Sequence, residues 1–327
     1  MHTSHFDLKT ERFHNLYPIQ IPKMTVRQSL YAIHEIFYKS SHKNPMRKMP
    51  QIKPDLTSFE KSSDTLKFIW FGHSTILLNL DGMKILCDPM FSTYASPIIG
   101  TVKRFQPPVL TLEELPSIDV IVISHDHYDH LDKKSIQFFK HKETRFLVPL
   151  GIQQYLTHWG IAAHKIVELD WHESYTMGSV NFTATPAHHF SGRGLFGHNK
   201  TLWASWVIEG KNEKLFFSGD SAYSPHFKEI GSLYGPFDVA FMENGQYDKR
   251  WLYAHMMPEQ TIQAIKDIQA KFFVPIHWSM FRLSAHHWLD PMIQSLKITV
   301  EQKVAMLNPF LGEIMCLHLP QGLRNSP

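Results

Sequence analysis

The sequence predicts a mixed α/β fold, because short apolar strands alternate with segments of helical periodicity along most of the chain. Residues 66–72, 75–80 and 83–89 have the apolar, β-branched composition of strands, and Asp81-Gly82 predicts a tight hairpin between the last two. This meander indicates antiparallel or mixed pairing at the start of the sheet, and it argues against a doubly wound parallel sheet.

Strands and helices alternate again after residues 91–117, where four prolines predict a long loop. These later elements follow one another in the β-α-β manner that is typical of a mixed fold. Strands are predicted at residues 118–123, 145–149, 165–169, 180–189, 214–220 and 271–277, and helices from residue 132, at 151–159 and at 258–270.

Composition limits the class of protein. The chain has 327 residues, 43% hydrophobic and 19% charged, so we expect a sizeable core and exclude global disorder. A net charge of +3 is too small to indicate nucleic acid, and no nucleic-acid partner is expected. The distant cysteines Cys87 and Cys316 exclude a disulfide framework and a cysteine zinc site. We see no signal-peptide pattern and no apolar run of ~20 residues, so we expect a cytoplasmic protein, with peripheral membrane contact left open.

The amino-acid composition of the chain changes near residue 65. Residues 1–64 are polar and basic, and we expect them to form an N-terminal extension packed on a domain of residues 65–327. Within the extension, residues 26–37 have helical apolar spacing, and residues 39–53 are basic. Two interpretations stay open for the extension: a solvated arm along the domain, or a surface that meets anionic lipid headgroups.

A dense group of polar side chains follows the apolar strand at residues 118–123. His125, His127, Asp129 and His130 lie within six residues, and the alternation of an extended segment turns His125 and His127 to the same side. Neutral imidazole and ionised carboxylate are the donors that hold zinc and related ions. We therefore predict a metal site at this strand end rather than a solvated histidine-rich loop.

Three later strands end in side chains of the same kind. The first ends in His188-His189, the second in Gly219-Asp220, and the third in His277. Taken singly, each is more simply a core histidine or an aspartate that caps a turn. Taken with the first cluster, they predict one polar site at the rim of a sheet.

The number of donors predicts two metal ions. Seven ligands are too many for one tetrahedral ion, and they suit two ions ~3.5–4 Å apart that share a carboxylate. We expect two Zn²⁺, although Mn²⁺ or iron also suits a mixed His/Asp site. The predicted ligands are His125, His127 and His189 for one ion, Asp129, His130 and His277 for the other, and Asp220 between them. His73 is expected to be structural or to support a ligand, and Asp88 either orients a ligand or caps its turn.

The motif His-x-His-x-Asp-His, followed by His189, Asp220 and His277, resembles the metallo-β-lactamase superfamily. This resemblance implies an αββα sandwich, the metallo-β-lactamase fold, with the metals at the rim between two sheets. The chain is more closely similar to the group of phospholipases D that hydrolyse N-acylphosphatidylethanolamine. The segments that carry this similarity are residues 70–75, 87–92, 125–132, 186–190, 202–206, 218–223, 250–251, 255–259 and 276–278.

The closer resemblance implies a dinuclear zinc-dependent phosphodiesterase that acts on a phospholipid or another phosphodiester. N-acylphosphatidylethanolamine would yield N-acylethanolamine and phosphatidic acid. The resemblance places Tyr128 and His255 beside the substrate phosphate, and His255 is also a candidate acid for the leaving oxygen. Asp129 would be a ligand that also orients the attacking hydroxide. The plainer interpretations are a packed loop aromatic for Tyr128 and a helix-start residue for His255.

Several alternatives remain at this stage. His188 competes with His189 as the ligand, and the match favours His189. Residues 191–200, here called the lip, are glycine-rich, and Arg193 within them either touches a phosphate or only solvates the loop. The same ligands would also suit a metal-dependent lactonase or another hydrolase of small esters or cyclic phosphodiesters. A non-catalytic metal-binding scaffold would have lost some of the seven ligands, and a nuclease would need a basic groove.

Overall fold

The computed structural model describes residues 5–18, 25–37, 44–61, 63, 65–98, 100–194 and 197–317. Two seven-stranded sheets make up the centre of the molecule. Strands and helices are numbered along the chain. The strands of the first sheet, in spatial order, are β16 (Ile314–Cys316), β3 (Lys67–Trp70), β4 (Ile76–Leu80), β5 (Met83–Cys87), β6 (Val120–Val122), β7 (Arg145–Pro149) and β8 (Ile166–Leu169).

The second sheet is also mixed. Its strands, in spatial order, are β15 (Ala305–Met306), β14 (Ala270–Ile276), β13 (Phe237–Glu243), β12 (Lys214–Phe217), β11 (Ala204–Glu209), β10 (Val180–Pro186) and β9 (Ser174–Met177). In each sheet, one half pairs antiparallel and the other half parallel, and the change falls at β5 in the first sheet and β12 in the second. Strand ends that carry polar side chains therefore gather at one rim of the parallel halves.

Helices cover the outer faces of both sheets. Their bounds are α1 (Val26–Phe37), α2 (Leu56–Glu60), α3 (Lys133–Phe138), α4 (Gln153–His158), α5 (His226–Tyr234), α6 (Pro258–Asp267) and α7 (Asp290–Gln302). A small hairpin of β1 (Phe6–Asp7) and β2 (Arg12–Phe13) precedes them. In the part of the chain that the structure describes, none of these helices has the length and apolar character needed to cross a membrane.

The side chains of the central strands point alternately to two different cores. Ile76 and Leu78 of β4 lie in the large core between the sheets, whereas Leu77 packs outward against the helices. Across the inner core, Phe68 of the first sheet meets Phe241 of the second edge-on, with ring centroids 5.1 Å apart. Because both faces of these strands are buried, their sequences are almost continuously apolar.

The outer cores complete a four-layer αββα sandwich. One core packs α2, α3 and α4 on the first sheet, and another packs α5, α6 and α7 on the second. This architecture confirms the predicted fold class. The inner core fixes the spacing of the two sheets, and this spacing sets the distance between polar residues on opposite rims.

The predicted strands and helices are present, with ends shifted by a few residues. Ten elements were not predicted from the sequence: β1, β2, β9, β11, β13, β15, β16, α2, α5 and α7. In β13, Asp238 interrupts the apolar run; its carboxylate accepts hydrogen bonds from the Lys214 amide (2.8 Å) and the Lys271 ammonium (3.1 Å). A strand with a charged residue near its start has no simple periodic pattern in the sequence. Tertiary contacts therefore determine whether the strand forms.

Residues 5–18 lie against the main domain. His5 Nε2 donates to Asp170 Oδ1 at 2.7 Å, and the His5 ring lies 4.2 Å from the ring of Trp171. The side chain of Phe13 is buried. Part of the basic stretch, residues 38–43, falls outside the described residues, and the boundary near residue 64 stays a prediction.

Candidate metal centre

The first group of predicted ligands lies where β6, β10 and β12 end. His127 Nδ1 lies 2.8 Å from His125 Nε2 and 3.3 Å from His189 Nε2. Asp220 Oδ2 lies 3.8 Å from His125 Nε2 and 3.7 Å from His189 Nε2. All four ligand atoms are within 4.8 Å of one another, so a single ion could be reached by all of them.

The second group shares Asp220 with the first. Asp129 Oδ2 is 3.4 Å from both His130 Nε2 and His277 Nε2. The Asp220 carboxylate reaches the same two rings, with Oδ1 3.2 Å from His130 Nε2 and Oδ2 3.1 Å from His277 Nε2. The structure thus brings all seven predicted ligands together, in the two sets that the sequence predicted. Their role as ligands stays a prediction.

The chemistry of these side chains fits metal ions. His125 Nδ1 lies 2.8 Å from Ser124 Oγ, and that hydroxyl donates to Asp88, so the imidazole must be the donor and its Nε2 is a bare acceptor. The same reasoning applies to His189, because its Nδ1 donates to the carbonyl oxygen of Ala254 at 3.0 Å. Bare lone pairs that converge on one point repel one another unless a cation lies between them.

Two unpartnered atoms support the same conclusion. Within the described residues, buried His130 Nε2 and Asp220 Oδ1 have no hydrogen-bond partner. A buried polar atom without a partner costs about 1–3 kcal/mol, and more when it is charged. A divalent cation would satisfy both atoms, so the residues present fit the group that the fold family implies.

Asp88 orients two of the histidines. Its Oδ2 accepts from His130 Nδ1 at 2.7 Å and from the Ser124 hydroxyl at 2.6 Å, and that hydroxyl in turn accepts from His125. A carboxylate behind a ligand histidine fixes the tautomer and the ring direction. Of the two roles left open for Asp88, these contacts favour orienting the predicted ligands His125 and His130 over capping the turn.

His73 supports a ligand as well. Its Nε2 donates to Asp129 Oδ2 at 2.8 Å, and its side chain is fully buried. The ring also lies 4.5 Å from the ring of His277. His73 was predicted to be structural or to support a ligand, and the contact between His73 and Asp129 agrees with the supporting role.

The backbone adopts left-handed conformations at and beside several of the predicted ligands. His73, Asp88 and His277 have positive φ angles of 53°, 39° and 61°, which side chains with a Cβ rarely adopt. Gly219, with φ of 56°, approaches so closely that an added Cβ would lie 2.5 Å from Ser124 Cβ. This contact joins the Asp220 loop to the first cluster, and only glycine permits it.

Burial controls the protonation of the histidines. It lowers the pKa of His125 and of His189 well below the ordinary value, and the pKa of His277 to about 3. Burial also lowers the pKa of His130, but the carboxylates of Asp220 and Asp129 outweigh it and raise that pKa well above the ordinary value. A proton on His130 supplies the positive charge that the carboxylates attract, and a cation would compete with it.

His255 stands beside the second cluster. Its ring stacks on that of His277 with centroids 4.9 Å apart, and it lies 5.4 Å from the ring of His189. His255 Nδ1 donates to Glu243 Oε2 at 2.8 Å. Burial lowers the pKa of His255, but the Glu243 carboxylate outweighs it and raises that pKa above the ordinary value. Its second ring nitrogen, Nε2, takes no part in this hydrogen bond.

Glu243 is a site residue that the sequence analysis missed. It is the last residue of β13, fully buried, and its Oε1 accepts from the Met256 amide at 2.6 Å. Burial raises the pKa of this carboxyl to about 7, against the lowering effect of His255. One signal was available: like Asp220 and His277, Glu243 follows an apolar segment of the parallel half-sheet.

Tyr128 lines a cavity of about 750 Å³ whose lining includes none of the seven predicted ligands. The guanidinium of Arg193 lies 4.0 Å above its ring, and Arg193 Nη1 donates to the carbonyls of Asp126 (2.8 Å) and Leu131 (2.7 Å). Arg193 therefore anchors the lip to the ligand loop and does not simply solvate it. A cavity of about 960 Å³ between α1 and residues 247–250 contains none of the predicted ligands.

His188 does not join either ligand cluster. Its amide donates to Ser221 Oγ at 2.9 Å, and its carbonyl accepts from the Ala222 amide at 2.8 Å. His189 is the member of the pair whose Nε2 faces His127. Three aromatics that follow or precede the strands of the site, Trp203, Trp278 and Phe281, belong to the buried core.

Comparison with known proteins agrees with this geometry. The family model of the Beta-lactamase superfamily domain matches residues 83–278. The chain belongs to this superfamily and is a metal-dependent hydrolase. The metallo hydrolase Igni18 of Ignicoccus hospitalis shares the fold, with a TM-score of 0.60 at 22% identity over 78% of this chain and 100% of that chain.

Sequence relatives place the chain close to one group within the superfamily. The Caenorhabditis elegans protein named N-acyl-phosphatidylethanolamine-hydrolyzing phospholipase D 1 is 35% identical over 241 residues, which are 68% of this chain and 66% of that protein. An uncharacterised protein of Mycobacterium tuberculosis is 36% identical over 307 residues, which are 92% of this chain and 82% of its own. The resemblance predicted from the motifs is confirmed.

Proposed function

We propose that this chain is a dinuclear zinc-dependent phosphodiesterase that hydrolyses phospholipids of the N-acylphosphatidylethanolamine type to N-acylethanolamine and phosphatidic acid. The observation that carries the proposal is the pair of ligand clusters that share Asp220. The activity in the name of the Caenorhabditis elegans relative supports the class of substrate. Zinc is preferred because five of the seven donors are imidazoles.

The ligand sets define where each ion would be held. His125, His127 and His189 would hold one ion, Asp129, His130 and His277 the other, and Asp220 both. When bound, the ions would activate water for attack on phosphorus and neutralise charge on the phosphoryl oxygens.

His255 would act on the leaving group. Its Nδ1 is held by Glu243, so the ring cannot turn freely and Nε2 is presented beside the second cluster. A raised pKa lets this ring carry a proton near neutral pH, as protonation of the departing N-acylethanolamine oxygen requires. Glu243 would thus position the acid without touching the substrate.

Tyr128 would border the substrate on the other side. It lies in the ligand loop between His127 and Asp129, and its ring forms part of the wall of the 750 Å³ cavity. Phe91, Leu110 and Leu112 give that cavity an apolar lining, while Lys133 and Lys134 lie on its wall. An amphiphile with a long acyl chain and an anionic headgroup suits such a lining.

Peripheral contact with a membrane belongs to the same proposal, because a phospholipid substrate resides in a bilayer. On α1, Val26 is 78% exposed and Leu30 is 61% exposed, and Arg27 lies between them in sequence. Apolar side chains beside a cation are typical of helices that lie on anionic bilayers.

The test uses zinc-loaded protein with N-acylphosphatidylethanolamine in vesicles and in detergent micelles, in water enriched in ¹⁸O. We expect N-acylethanolamine without the label and phosphatidic acid that carries it, because water attacks phosphorus. The matched control is zinc-loaded protein with Asp220→Asn, which we expect to be inactive.

Two results would contradict the proposal. Rapid opening of lactones with no release of N-acylethanolamine would indicate the lactonase alternative. Label in the N-acylethanolamine instead of in phosphatidic acid would indicate that a carbon–oxygen bond is broken, and attack on phosphorus would be excluded.

A further inference from the structure

Asn15, in the N-terminal extension, is bonded to both main-chain groups of His189. Its Nδ2 donates to the His189 carbonyl at 2.7 Å, and its Oδ1 accepts from the His189 amide at 3.0 Å. One side chain thus satisfies both main-chain polar groups of a predicted ligand. These residues are 174 positions apart in the chain, so the contact is wholly tertiary.

A second contact fixes Asn15 itself. Its Oδ1 also accepts from Trp203 Nε1 at 2.9 Å, and the same Nε1 is 3.0 Å from the Ala187 carbonyl. Trp203 is buried and its carbonyl accepts from Trp171 Nε1 at 2.7 Å. The amide of Asn15 is therefore bonded to a core tryptophan, Trp203, which Trp171 holds in turn.

The hairpin of β1 and β2 brings Asn15 to this place. His5 packs on Trp171 and bonds to Asp170 at 2.7 Å, while the Phe13 amide donates to the carbonyl of Asn199 in the lip at 2.8 Å. Both of these contacts precede Asn15, and after it the Tyr17 hydroxyl donates to the Glu229 carboxylate, so the segment is bonded to the domain on both sides of Asn15. A side chain held at both ends loses little further entropy when it binds His189.

We propose that Asn15 is a positioning residue of the metal centre, so that residues 5–17 belong to the site and are not an accessory arm. This inference rests on the metal centre of the proposed function. Asn15 fixes the main chain of His189, and the Ala254 carbonyl fixes its Nδ1, so Nε2 has one direction left. Contacts of this kind, behind a ligand, tune metal affinity.

The geometry limits the effect to one of the two ions. Asn15 bonds to His189, which belongs to the first ligand set. The second set is oriented by other groups: Asp88 binds His130, and His73 binds Asp129. Loss of Asn15 should therefore weaken the ion between His125, His127 and His189 and leave the other ion in place.

The test measures zinc retention of the full chain by competition with a chromophoric chelator, with no substrate present. For Asn15→Ala we expect one of the two ions to be lost at a 10–100-fold lower chelator concentration than in the wild type, and the other at an unchanged one. Leu16→Ala is the matched control, because it is the next residue in the same segment and its side chain is 42% exposed. It should retain both ions as the wild type does.

A second variant separates positioning from folding. Asn15→Asp keeps the size and the oxygen that accepts from the His189 amide, but it replaces the donor to the His189 carbonyl with a charged oxygen that repels it, so we expect the same ion to be lost at least as readily as from Asn15→Ala. Melting temperatures in excess chelator should be equal for Asn15→Asp and Leu16→Ala, since the metal-free fold is not what changes.

Retention of both ions by Asn15→Ala at wild-type affinity would overturn the inference, and so would an equal weakening of both ions. A wild-type protein that retains no zinc would overturn it together with the metal centre. Because no lipid enters the measurement, a wrong substrate in the proposed function would not change these results.

Discussion

Single residues around the predicted centre divide into those that would bind the ions and those that fix the direction of these side chains. Asp88, Glu243 and Asn15 each bond to a histidine of the site that lies 42, 12 and 174 positions away in the chain, respectively. None of them belongs to the His-x-His-x-Asp-His motif. The motif therefore gives the donors, whereas their directions come from tertiary contacts.

The adjacent pair His188 and His189 offers a test at this scale. We expect His189→Gln to lose one ion and to lower kcat/KM by about 10³-fold, because a metal ion contributes several kcal/mol of charge stabilisation in the transition state. His188→Gln should retain both ions and nearly full activity, because the polar contacts at this position are made by its main chain. Metal analysis and lipid turnover check both; the opposite pattern would assign the ligand to His188.

At the scale of elements, the site depends on strand ends. The sequence predicted the strands that end near Ile123, His189, Asp220 and His277 because each is a short apolar run closed by polar residues. It did not predict β13, whose Asp238 is neutralised by contacts from Lys214 and Lys271. Because this strand was not predicted, its last residue, Glu243, was not predicted as a site residue.

The lip offers a test at the scale of elements. Arg193→Lys keeps the charge but loses the planar guanidinium that stacks on Tyr128 and whose Nη1 donates to the carbonyls of Asp126 and Leu131, so both the anchor of the lip and the contact with Tyr128 should weaken. We expect KM to rise about tenfold with zinc content unchanged, since this guanidinium binds main chain and not the ions. Steady-state kinetics and metal analysis measure both quantities.

Lys133→Ala is the control for the lip, because it removes an exposed cation from the same cavity without touching the lip. If Lys133→Ala raised KM as much as Arg193→Lys, the charge of the cavity, and not the anchored lip, would be the cause.

The whole molecule should lose stability in mild acid, and His226 contributes to this loss. His226 is buried at the start of α5, and burial lowers its pKa to about 3, with a smaller effect from His188. The unfolded chain binds this proton below pH ~6.5, whereas the folded chain does not. The stability contributed by neutral His226 is thus complete above pH ~6.5 and falls as the pH drops toward 3.

We expect this single group to account for about 2 kcal/mol of the free energy of unfolding lost between pH 6.5 and 5.0. Urea unfolding of wild type and His226→Asn, both in excess chelator so that metal release does not contribute, measures the difference. The variant should be less stable at pH 7.5 and should have a flatter dependence on pH. Parallel curves for the two proteins would show that His226 is not the group responsible.

The seven donors are shared between the two halves of the sandwich. Four follow β6 in the first sheet, and three follow β10, β12 and β14 in the second. A cation bound by side chains from both sheets would act as a cross-link that closes long loops of chain, much as a disulfide does. Removal of the metal would then loosen the packing between the two sheets as well as stop turnover. Rebinding of the metal would restore that packing.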